Sequence, residues 1–88
     1  MAAAHGQMGC KLYLSAFSGE VIFQVNTVNE QSYEGVAPKH YVASSTQPTK
    51  DGVDGQVKVR VLSNGGKEAR VSVPDGQILS VSADKVHE

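Results

Sequence analysis

Cysteine occurs once in these 88 residues, at Cys10, so no internal disulfide can form and nothing in the sequence points to an oxidising compartment. Long apolar runs are missing too: none approaches the roughly 20 residues that a membrane-spanning helix needs. The opening Met1-Ala2-Ala3-Ala4-His5 is too short and too uncharged for a secretory signal. Met8-Gly9-Cys10 lacks the preceding apolar segment that lipidation of the cysteine would require. These absences make the cytoplasm the default location and leave no membrane partner. A basic excess is also missing. With a net charge of -1 and a pI near 6.3, the chain has no overall electrostatic case for binding nucleic acid, and only a local patch could supply one.

Catalytic and metal-binding groups are equally thin. Ser18-Gly19 and Ser44-Ser45 have no base placed beside them, the acidic residues stand singly, and Cys10 has no histidine nearby except His5. His5, Cys10 and His40 match no ligand spacing such as Cys-x-x-Cys. The expectation is a protein that is not an enzyme, with no cofactor and no metal. A chain this short holds one domain with a single small core, marginal alone, for which self-association is a ready supplement.

No stretch sustains a 3.6-residue period with caps, which excludes long helices. Alternation takes its place. Val57-Lys58-Val59-Arg60-Val61-Leu62 puts valines on one face and Lys58 and Arg60 on the other, and Glu68-Ala69-Arg70-Val71-Ser72-Val73 alternates likewise. A three-residue loop Asn64-Gly65-Gly66 would pair Val61 with Ala69, Val59 with Val71 and Val57 with Val73, with Gly66 left-handed, and would set Arg60 opposite Arg70. A loop Pro74-Asp75-Gly76 pairs Val73 with Gln77, Val71 with Leu79 and Ala69 with Val81. Ser82 then caps a helical turn through Ala83–Val86, with Val86 as an apolar plug.

In the first half, Lys11 to Phe17 reads as a strand with apolar residues on both faces. Val21 to Asn26 reads as a second, with Val21, Phe23 and Val25 inward, and Ser32 to Val36 returns from a tip at Asn29-Glu30-Gln31. From Ala37 the chain is expected to leave the sheet, because Pro38 cannot donate to a ladder but can open a helical turn near Pro38–Tyr41. Residues 1–9 are expected as a tail or an overlong start, residues 10–88 as one domain, and residues 43–55 as a mobile loop. The stretches Val36 to Val42 and Val81 to Val86 echo each other, but their unequal preceding spacings argue against an internal repeat.

The fold class is therefore all-β: a small SH3-like barrel or two crossed antiparallel sheets of five to six short strands. The segment Glu34-Gly35-Val36-Ala37-Pro38-Lys39-His40-Tyr41-Val42-Ala43 resembles the end of SH3 domains, in which a glycine, a proline and a Tyr-Val pair follow one another in similar order. That resemblance implies a groove for proline-rich peptides formed by Pro38 and Tyr41, with Tyr13 beside them. Departures are the absence of tryptophan and the long continuation beyond Val42.

Two functions from different classes follow. One is a non-catalytic adaptor that binds a protein partner, or a second copy of itself, through an edge strand and the Tyr41 end of the barrel, with Tyr13, Tyr33, Pro38 and Tyr41 as contact residues. The other is a weak nucleic-acid or anion binder that uses Lys58, Arg60 and Arg70 on an outward sheet face.

Overall fold

The structure, a computed structural model, describes residues 4–88. It is all-β. Its strands among the described residues are β1 (Ala4–Leu14), β2 (Glu20–Asn26), β3 (Ser32–Pro38), β4 (Val42–Ala43), β5 (Val53–Gly65), β6 (Glu68–Ser72), β7 (Ile78–Ser82) and β8 (Val86–His87), with 3-10 turns at Lys39–Tyr41 and Ala83–Lys85. They form one curled antiparallel sheet, a half-barrel, in the order β3-β2-β1-β5-β6-β7; β4 adds to β5 and β8 to β1. The curl gathers the inward faces into a single core. Val21, Phe23 and Val25 meet Val57, Val59 and Val61 there, together with Ala69, Val71 and Val81, while Met8 and Leu12 are fully buried at its centre. Each such side chain contributes about 2 kcal/mol of transfer free energy.

The second hairpin has the expected register. Val71 lies opposite Leu79 and Ala69 opposite Val81, the Val73 N–H donates to the Gln77 carbonyl at 2.9 Å, and Gly76 sits at φ 95°. The first hairpin does not. Its turn is the two residues Gly66-Lys67, with positive φ at Gly66 (88°) but not at Lys67, the pattern of a type II′ turn. A bulge at Leu62 then sets Val61 opposite Val71, Arg60 opposite Ser72 and Arg70 opposite Ser63. The expected facing of Arg60 and Arg70 is corrected accordingly. A slip of two residues leaves every valine on its own face, so alternation alone could not detect it.

Three further expectations are corrected. Residues 1–3 of the expected tail lie outside the described residues, but Ala4 to Gly9 belong to β1 and pair with Val61 to Gln56, which seats Met8 in the core. The long loop is shorter than expected: Ala43 pairs with Gln56, Thr49 bridges to Tyr13, and Val53 to Gly55 already belong to β5. Ala37 and Pro38 stay in the sheet opposite Val21 and Glu20, at the end of the outermost strand, where proline is tolerated. The helical turns fall where expected. Ser82 precedes the second turn, but its hydroxyl donates to Asp84 Oδ1 at 2.6 Å instead of capping a backbone N–H.

The echo between the two halves is a structural repeat. β1-β2-β3, a 3-10 turn and β4 recur as β5-β6-β7, a 3-10 turn and β8; β4 pairs with the β5 of the other unit and β8 with β1. The pair Met8–Val57 lies at the centre of the arrangement, with Val86 beside Met8 and Val42 beside Val57. Counting two residues back from each member of that pair reaches Gly6 and Gly55. A Cβ on Gly6 would lie 2.9 Å from the His87 carbonyl and 3.0 Å from Val61, and one on Gly55 would lie 2.7 Å from the Ala43 carbonyl and 2.5 Å from Leu12. The contacts correspond one for one. So do two backbone bonds: Lys39 N–H to the Gly19 carbonyl at 2.8 Å, and Ala83 N–H to the Lys67 carbonyl at 2.9 Å. Unequal loops, Ser15 to Gly19 against Gly66-Lys67, hide the period in the sequence.

Gly55→Ala and Gly6→Ala should each destabilise the fold, by about 1–3 kcal/mol, with Gly55 the more severe because its blocking atoms would lie at 2.5 and 2.7 Å against 2.9 and 3.0 Å at Gly6. Gly65→Ala, with nothing within 4 Å and no positive φ, should be neutral within about 0.5 kcal/mol. Urea denaturation midpoints compare the three.

Candidate functional site

The repeat creates a fork on each long strand. β5 pairs with β4 through Gln56 and Val57 and with β6 from Arg60 onward, so Lys58 and Val59 have no partner on that edge. A cleft of about 1000 Å³ opens there. Its lining comes from β1, β5 and β8, from the turn Lys39–Tyr41, and from Ser72 at the end of β6 with Val73 and Pro74 after it.

Lys58 and Arg60 project from the exposed face of β5 into this cleft, opposite Gln7 and His5 of β1. The 3-10 turn brings His40 and Tyr41, whose rings meet edge to face at a centroid distance of 4.8 Å and an angle of 74°. β8 brings His87, and Glu88 follows it; the Asn64 side-chain amide donates to the Glu88 carboxylate at 3.2 Å. The lining therefore carries two fixed cations against one carboxylate side chain. All three histidines of the chain reach it, from positions far apart in sequence.

The matching fork on β1 lies between Met8, where β8 pairs, and Lys11, where β2 pairs, and it opens a smaller cleft of about 390 Å³. Counting outward from Met8 and Val57, Asp54 stands where the larger cleft has His5, Lys11 where it has Arg60, and Gly9 where it has Lys58. Counting back from Val42 and Val86, Asp84 and Lys85 replace His40 and Tyr41. Here two lysines and two aspartates share the lining with His87, which reaches both clefts, and the Lys85 ammonium donates to the Asn26 carbonyl at 3.4 Å. One cleft is cationic and aromatic. Its twin is charge-balanced and narrower.

The sequence-based candidates divide between several places. Tyr41, Lys58 and Arg60 share the larger cleft, whereas Arg70 lies between Ser63 and Ser80 on β6, away from it. Pro38 ends β3 opposite Glu20. Tyr13 packs against Gly52, where a Cβ would come within 2.6 Å of the ring. Tyr33 is half-buried, lies 6.0 Å from the Phe23 ring, and donates its hydroxyl hydrogen to the Asp75 carboxylate. Tyr33 thus ties β3 to the Pro74-Asp75-Gly76 turn. Of Pro38, Tyr41 and Tyr13, whose combination implies a peptide groove, Tyr41 alone lines the larger cleft. His5, His87 and Glu88 were missed as cleft residues; the only signal for them, pairing of β1 with β5 and β8, is not local.

Among the described residues no group of three or more His, Cys, Asp or Glu is arranged to hold a metal ion, and no helix is long and apolar enough to cross a membrane. Compared with protein-family models, curated proteins and solved structures, the chain gives no significant match.

Two groups outside the cleft titrate unusually. Burial pushes the Cys10 thiol up to about 12. The Tyr33 phenol is also pushed up to about 12, first by burial, then by the hydrogen bond it donates to Asp75 and by that carboxylate's charge. The fold holds both groups neutral, so their contribution to stability is fully present below the free values of 9.0 and 10.0 and is lost as pH rises towards 12. The thermal midpoint should fall as pH climbs above about 9. Asp75→Asn should bring the Tyr33 phenolate, followed by ultraviolet absorbance against a Tyr33→Phe control, back towards its free value.

Proposed function

We propose that this chain is a non-catalytic binding module that captures an acidic segment of a partner protein in the cleft at the β5 fork. The observation that carries this reading is the contrast between the twin clefts. Lys58 and Arg60 face one carboxylate side chain in the larger, while aspartates neutralise the lysines in the smaller. The His40–Tyr41 pair and the Val73-Pro74 segment add apolar and aromatic contact area, which suits a peptide chain. The net charge of -1 opposes the approach of a long polyanion, whereas a short acidic segment needs only the local field. The curled sheet and the 3-10 turn that follows Pro38 and leads into Val42 support kinship with small SH3-like barrels. Free Cys10 agrees with a cytoplasmic setting.

An acetylated oligo-aspartate peptide serves as the probe in calorimetric titration. Lys58→Ala with Arg60→Ala should weaken its binding about tenfold or more, since each removes a charge at the contact; Lys11→Ala and Arg70→Ala should leave it within about twofold. Equal losses from both pairs would refute the cleft as the site. A single-stranded oligonucleotide binding more tightly than the peptide, with steep salt dependence, would replace the reading with a nucleic-acid one.

A further inference from the structure

We infer that protonation of the cleft histidines strengthens its hold on an acidic segment, so that the site tightens as pH falls. This rests on the acidic-segment reading above. His5 comes from β1, His40 from the 3-10 turn before β4, and His87 from β8, and long-range pairing brings these distant positions to one cleft. All three are exposed. They are not arranged to hold a metal ion.

The other charged and titratable groups facing them are few. β5 contributes Lys58 and Arg60, the 3-10 turn contributes Tyr41, and Glu88 follows His87; on its other side His87 also lines the smaller cleft with Lys11, Asp54, Asp84 and Lys85. Imidazole is the side chain that gains its charge between about pH 8 and pH 5. Each imidazole that takes up a proton adds a positive charge to a lining that already holds Lys58 and Arg60. The twin cleft supplies an internal comparison: Asp54 and Asp84 stand in place of His5 and His40, while His87 lines both clefts. The difference between the two copies lies in the groups whose charge an acidic ligand would sense.

The test titrates the acetylated oligo-aspartate peptide into the intact protein at about pH 7.5 and about pH 5.5; aspartate, with a free value of about 3.9, stays ionised at both. The dissociation constant should fall about tenfold or more on acidification. In a His5→Asn, His40→Asn, His87→Asn variant the ratio between the two pH values should shrink to within about twofold. Imidazole proton resonances of the unaltered protein supply a second readout, since linkage requires their titration midpoints to rise when the peptide is bound. A pH-independent affinity in a protein that binds the peptide, a triple variant with the full pH response, or midpoints unmoved by saturating peptide would each overturn this inference and leave the acidic-segment reading standing. Absence of peptide binding at both pH values would overturn both.

Discussion

The antiparallel pairing of β1 with β5 is the interaction on which the rest of the molecule depends. Nine residue pairs, from Ala4–Val61 to Leu12–Val53, join the two units of the repeat, and Met8–Val57 sits at their centre, buried on both sides. Each unit alone is a meander with an exposed apolar face. Only when the long strands pair do β4 and β8 find the opposite unit and close the core. Gly6 and Gly55 mark where β8 and β4 cross closest, and a side chain at either would push the crossing strand away. A small core of valines is thus doubled in size by one ladder.

The same ladder generates the clefts. A strand that changes partner midway leaves a gap where one neighbour stops and the next begins, and the repeat produces two such gaps. Their shapes follow from the backbone. Their chemistry follows from the side chains, which diverged: Lys58, Arg60, His40 and Tyr41 on one side, Gly9, Lys11, Asp84 and Lys85 on the other. A long side chain in place of an aromatic also narrows the second opening, as Lys85 reaches Asn26. Two copies of one scaffold therefore differ in the sign of their field, and the electrostatics of a surface cleft decide which ligands approach it.

Strand faces, the Pro74-Asp75-Gly76 turn and both 3-10 turns were legible, since each depends on neighbours within a few residues. The β5–β6 register was not: shifting it by two residues preserves every inward valine, and the bulge at Leu62 that selects the true pairing leaves no mark in the alternation. The role of Ala4 to Gly9 was hidden for a different reason. That stretch reads as an overlong start ahead of Met8, yet Gly6 is small because another strand passes beside it. Of the candidate site, Lys58, Arg60 and Tyr41 could be named from residue type, while His5, His87 and Glu88 could not.

By itself the sequence determined which face of each alternating strand points inward and where the Pro74-Asp75-Gly76 turn and the two 3-10 turns lie, because period-two alternation and glycine or proline at a turn act over a few bonds. Tertiary structure alone decided which strands are neighbours, that two unequal segments are copies of one unit, and that three distant histidines line one cleft. Those facts are set by pairings between residues some fifty positions apart, such as Met8 with Val57, and no local pattern encodes the partner at the other end.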